Sequence, residues 1–206
     1  MDLIANGLIF TFEPYNISIS KNNITNVFSR KINKTLYETI TEIKSSGKKN
    51  RYVKFKPKAM SSYADYKNYT LGEFLSILKS NGDSFYKAFL NKYGDGNFCS
   101  FALTDNSILA SKGLYCYCVD NKLMYIGRCL DCFKNRINQG YGKIHPKNCY
   151  IDGQTTNCHL NGLINSVSNK VSIYICPLND NETIKKIEMI LIGKYSPPWN
   201  IALRTR

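Results

Sequence analysis

The sequence predicts a mixed α/β fold: a small central sheet containing antiparallel strands, flanked by helices and preceded by an α+β N-terminal region. Three observations lead there. Residues 114–119 and 123–126 are short, apolar, tyrosine-rich runs, and Asp120-Asn121 between them suits a tight turn. Residues 181–195 place Ile184, Ile187, Ile190 and Leu191 at helical spacing. Upstream, strand-like and helix-like segments are interspersed, with no internal repeat and no low-complexity tract.

Taken in chain order, residues 8–12, 17–19 and 52–55 read as strands, and residues 35–43, 71–78 and 84–90 as helices. Asn81-Gly82-Asp83 and Tyr93-Gly94-Asp95-Gly96-Asn97 are turn signals, and the second opens a boundary region near 94–110. The expected division is therefore residues 1–105 and residues 106–206. In the second part, the hairpin gathers Gly113, Tyr115, Tyr125 and Gly127 into one small space. Strands favour tyrosine anyway, and a phenol is a poor base at neutral pH unless a cation lowers its pKa.

Asp131 should cap the next helix, with Phe133 and Ile137 on one face and Arg136 projecting beside the hairpin. The loop 140–148 carries Lys143, His145 and Lys147. Thr155 or Thr156 should cap a helix over 157–167, and Asn179 or Asp180 the last one. That helix must stop before Pro197-Pro198, which cannot continue it. Glu188 falls at the edge of its apolar stripe, where a partly buried carboxylate has to be paired or bound to metal.

A net charge of +13 on 206 residues points to polyanionic partners. Residues 43–58 hold Lys44, Lys48, Lys49, Arg51, Lys54, Lys56 and Lys58 with no acid. Tyr52, Phe55 and Tyr63 interleave with them, which suits a nucleic-acid surface as well as a solvated basic face. Gln154, Asn157, His159 and Asn161 are further polar groups suited to DNA, at a helix start whose N–H groups could hold a phosphate. No apolar run is long enough to span a membrane and no leader pattern is present, so the expectation is a cytoplasmic protein with eight reduced cysteines and no membrane partner. Cys129 and Cys132 with Cys149, Cys158 and His159 could be drawn as a zinc site, but the second cysteine pair lacks the tight knuckle spacing. Cys116 and Cys118, two apart on a strand, read as small core residues.

Gly113-Leu114-Tyr115, Tyr125-Ile126-Gly127, Arg136 in the following helix, Glu188 in a later one and Asn200 after a proline pair closely resemble, in that order, the GIY-YIG endonuclease superfamily. The segment 188–200 looks like the end of the nuclease domain of the excision-repair incision subunit, and the resemblance covers roughly residues 111–203. It implies a GIY-YIG nuclease core at 106–206 and a DNA-binding region at 1–105. Glu188 would hold one hard divalent ion, Mg²⁺ or Mn²⁺, since Mg²⁺ needs only one or two carboxylates beside water and phosphate oxygens. Arg136 would hold the scissile phosphate through its guanidinium fork. Tyr115 would orient or deprotonate the attacking water, Tyr125 would support water or phosphate, and Asn200 would support the site by hydrogen bonds. Arg128 follows the YIG glycine, where the family often has a lysine or another polar group.

One departure bears on the chemistry. Many members place a histidine or another base one turn after the arginine, and here that position is Gly140, followed by Tyr141. Lys143 and His145 are the loop candidates for an extra acid–base or cationic group. Without the resemblance, Glu188 would be read as paired with Lys185 or Lys194, and Arg136 and Asn200 as a surface charge and a turn residue. The expected activity is that of a type II restriction endonuclease cutting double-stranded DNA, as a homodimer on its cognate site. A homing, mobile-element or repair nicking enzyme and a non-catalytic DNA-binding module are the alternatives.

Overall fold

The computed structural model describes residues 1–30, 34–43 and 49–201. Lys44 and Lys48 lie outside them. The fold is mixed α/β, with small antiparallel sheets flanked by helices. Its strands are β1 (Asp2–Ala5), β2 (Leu8–Thr11), β3 (Glu13–Tyr15), β4 (Ile17–Ile24), β5 (Phe98–Leu103), β6 (Gly113–Val119), β7 (Lys122–Cys129) and β8 (Val171–Pro177). Its longer helices are α1 (Leu36–Thr41), α2 (Lys56–Ser62), α3 (Leu71–Ser80), α4 (Thr155–Val167) and α5 (Asn181–Tyr195), with a π-helix at Lys134–Tyr141. Among the described residues no helix is long and apolar enough to cross a membrane.

Two compact units form, and neither is continuous in the chain. The first comprises residues 1–23, 98–143 and 160–206, the second residues 24–97 and 144–159. This differs from a single boundary near 105. The turn signals there are real, but they cannot reveal that β3 pairs with β8 across more than 150 intervening residues.

In the first unit the sheet order is β3-β8-β6-β7, every neighbour antiparallel. The β6–β7 hairpin turns through Asp120 (φ 48°) and Asn121 (φ 63°), as a two-residue hairpin with right-twisting strands requires. β6 is buried on both faces. Tyr115 and Tyr117 point to one core with Tyr125, Phe133, Ile137, Tyr141, Leu160 and Ile164. Leu114 and Cys116 point to the other, with Leu3, Ala5, Ile126, Ile184, Ile187 and Leu191. A strand covered on both sides reads as a continuous apolar run rather than an alternation, as Leu114–Val119 does. The last helix has the predicted bounds, and its N-cap is Asp180, whose carboxylate accepts from Thr183 N at 2.7 Å.

The second unit is built on rings. Phe55 lies 4.7 Å from Phe89, Tyr63 stacks on Phe85 at 5.2 Å, and Tyr52 stacks on Phe89 at 6.1 Å. Thr35–Glu38 and Thr70–Glu73 capping boxes start α1 and α3. Residues 52–55, expected to be a strand, form instead a 3-10 turn (Val53–Phe55) that runs into α2. The Asn50 side chain accepts from Tyr52 N at 2.9 Å, and Pro57 sits in the first helical turn, where its missing N–H costs nothing. Of the three aromatics among the basic residues Tyr52 is buried, and Phe55 and Tyr63 are half-buried against other rings, while Lys49, Arg51, Lys54, Lys56 and Lys58 stay exposed.

Candidate active site

Antiparallel register sets Tyr115 opposite Gly127 and Tyr117 opposite Tyr125, so three tyrosines share one face of the hairpin. Both hairpin glycines are sterically required. A Cβ on Gly127 would fall on the Tyr115 hydroxyl and within 2.7 Å of the Tyr125 ring. Gly113 has φ +146°, and a Cβ there would overlap the β8 backbone at Cys176–Leu178.

The π-helix supplies the next two groups. Its wider turn brings residues five apart into line, as the Gly142 N bond to Ile137 O at 2.7 Å shows. Arg136 and Tyr141 are five apart. The Arg136 guanidinium lies over the Tyr141 ring, 4.8 Å from its centroid, and its Nε donates to the Tyr115 hydroxyl at 3.3 Å. The Tyr141 hydroxyl reaches that of Tyr115 at 2.9 Å and that of Tyr125 at 3.4 Å. Tyr141 was the residue that sequence reasoning missed. An α-helical count from Arg136 lands on Gly140, and only five-residue spacing finds the tyrosine. Buried Asn161, expected to contact DNA, instead donates to Tyr141 O at 2.6 Å and pairs with both backbone groups of Cys99. Phe133, not Asp131, stands at the helix N-cap, and Asp131 accepts from the Asn135 side chain.

Burial pushes the Tyr115 phenol well above its ordinary value, opposed by the Arg136 charge and the Tyr141 hydrogen bond. Burial does the same to Tyr141. Both hydroxyls therefore stay protonated at neutral pH, able to hold and orient a water but far from a phenolate base. The Tyr117 hydroxyl is buried and has no hydrogen-bond partner among the described residues.

Glu188 is 7 % exposed on α5 and meets Arg128 of β7, Nη1 to Oε2 at 2.5 Å. Lys185 pairs with Glu182 and Lys194 donates to Ile4 O, so neither expected lysine partner holds this carboxylate. Burial raises the Glu188 pKa, while the charges of Arg128 and Arg136 pull it down. Arg136 thus acts on Tyr115 and on Glu188 alike. One carboxylate would suit one hard divalent ion, whose remaining positions go to water and phosphate. It does not fit zinc: among the described residues no three His, Cys, Asp or Glu converge.

β7 is an edge strand, and Asn200 completes it. The Asn200 side chain accepts from Ile126 N at 3.0 Å and donates to Ile126 O at 2.8 Å, while Trp199 N donates to Met124 O at 2.8 Å.

The remaining expected residues go elsewhere. Lys143 is exposed, and His145 is an exposed cap whose Nδ1 accepts from Lys147 N at 3.2 Å. Among the described residues neither bonds to Tyr115, Tyr125, Arg136 or Glu188. His145 lines a cavity of about 730 Å³ in the second unit, with Lys34, Tyr52, Lys147 and Gln154. Helix α4 begins at Thr155, so both threonines lie in its first turn rather than at the cap. Of the polar residues there, Gln154 is exposed. Asn157 is buried and donates to Gln154 Oε1 at 2.8 Å, and the His159 ring packs 4.4 Å from Tyr93. No family model, curated protein or solved structure matches this chain.

Proposed function

We propose that the chain is a divalent-metal-dependent endonuclease of the GIY-YIG type that hydrolyses phosphodiester bonds in double-stranded DNA. The observation that carries this reading is the joined cluster Tyr115–Tyr141–Tyr125 under Arg136, whose charge also acts on Glu188. A guanidinium set beside neutral hydroxyls is suited to an anion with an attached water. Arg136 binds the phosphate, Tyr115 orients the attacking water with Tyr141 and Tyr125 fixing its hydroxyl, and Glu188 holds Mg²⁺ or Mn²⁺. Such an ion, when bound, would supply neutralisation of the charge that develops on the phosphate and leaving oxygen. Asn200 positions Ile126, and so the Tyr125–Gly127 segment.

The second unit supplies DNA affinity. Its segments hold fifteen basic residues against seven acidic, +8 of the chain's +13. Exposed Lys49, Arg51, Lys54, Lys56 and Lys58 are the candidate phosphate contacts, with Gln154 beside them. One such site cuts one strand, so a restriction enzyme would act as a homodimer on its cognate duplex. Incubating supercoiled plasmid with wild type and Glu188→Ala, with and without Mg²⁺, tests the reading. Discrete fragments from Mg²⁺ and wild type alone are expected, and undiminished cutting by Glu188→Ala would overturn it. Nicked circles without linear product would favour a nicking enzyme instead.

A further inference from the structure

We infer that Arg128 is a positioning residue that keeps Glu188 occupied until an anion draws it away, making cation binding conditional on phosphate. The inference rests on the nuclease reading of this site. Three features carry it. Arg128 Nη1 sits 2.5 Å from Glu188 Oε2, so guanidinium and metal ion compete for the same carboxylate. The Glu188 side chain is only 9 % exposed against 36 % for Arg128, so an anion from solvent meets the arginine before the carboxylate. Arg128 directly follows Gly127, which stands opposite Tyr115 in the hairpin and packs against its hydroxyl.

The energetics give the direction. A buried carboxylate left alone is costly, so Arg128 remains on it when nothing else is bound. A second cation placed at Glu188 beside the guanidinium meets direct repulsion. A phosphodiester offers Arg128 a bidentate partner of equal charge, and its departure leaves the carboxylate to the metal. Coupling of this kind is reciprocal: anion raises cation affinity and cation raises anion affinity.

The test is a Mn²⁺ titration read by electron paramagnetic resonance on the DNA-free full chain at pH 8. Wild type, Arg128→Gln, Glu188→Gln and the double variant are compared, with folding checked by circular dichroism. Sodium sulfate, against chloride of equal ionic strength, stands in for phosphate. Arg128→Gln should bind Mn²⁺ at least about tenfold tighter than wild type, and the double variant should lose that gain. Sulfate should tighten Mn²⁺ binding to wild type and leave Arg128→Gln unmoved. Unchanged or weaker binding by Arg128→Gln overturns the inference, as does a sulfate-insensitive wild type, which needs no variant to fold. Mn²⁺ binding that is equal in Glu188→Gln and wild type overturns the metal assignment itself.

Discussion

The two units use tyrosine in opposite ways. In the second, hydroxyls end on carboxylates: Tyr52 on Asp152, Tyr63 on Asp83 at 2.6 Å and Tyr86 on Asp95 at 2.6 Å. Each such pair sets a phenol against an acid. In the first, Tyr115, Tyr125 and Tyr141 end on one another and on Arg136, and no carboxylate closes the set. The first unit sets neutral phenols beside a guanidinium whose charge also acts on Glu188. A residue type common in both units thus meets an acid in one and a guanidinium in the other.

The largest effect should come from removing that charge. Arg136→Gln is expected to lower plasmid cleavage by about 100-fold or more, as loss of a preorganised donor to a reacting phosphate does, with the far-ultraviolet spectrum retained. Tyr52→Phe is the matched control, expected to cost about 1 kcal/mol in urea unfolding and to leave cleavage per folded molecule unchanged. If both variants cut alike, the contrast between the units has no functional content. Next comes Tyr141→Phe, which deletes the hydroxyl bridging Tyr115 and Tyr125. Single-turnover cleavage should fall about tenfold, the value of one lost hydrogen bond.

Tyr117→Phe runs the other way, since it removes a buried hydroxyl that nothing satisfies. Stability should rise by about 1 kcal/mol, read as a higher urea midpoint at unchanged slope. The smallest effect is a pH dependence in the second unit. The Tyr63 hydrogen bond lowers the Asp83 pKa below its ordinary 3.8 and pushes Tyr63 up to about 12. A depressed carboxylate stabilises the fold above its unfolded value and loses that contribution as pH falls through the folded one. The difference in melting temperature between wild type and Tyr63→Phe should therefore hold from pH 7 to about 5 and shrink below 3.8. A difference constant down to pH 2 would show that the charge plays no part.

Local signals carried much of the architecture. The 181–195 helix and the Asp120-Asn121 turn were legible because each depends on neighbours in sequence. Arg136 and Glu188 were legible as residues, but their partners were not. Arg128 reaches Glu188 across 60 positions, a pairing created by strand register and helix packing. Tyr141 escaped because helical reading assumes a turn of 3.6 residues, and the π-helix breaks that assumption. Asn157, Asn161 and His159 looked solvent-directed by polarity alone, yet they are spent inside the fold on backbone and side-chain partners. Polar residues near a helix start carry no sign of which way they face.

The pairing of Asn200 with both backbone groups of Ile126 has a consequence beyond catalysis. A carboxamide presents the same donor and acceptor as a peptide unit, so this side chain serves as a one-residue strand along the rim of β7. With Trp199 it occupies hydrogen-bonding groups that would otherwise recruit another chain. The stretch after the proline pair thus closes part of the β7 edge from within the same chain, leaving fewer free backbone groups there.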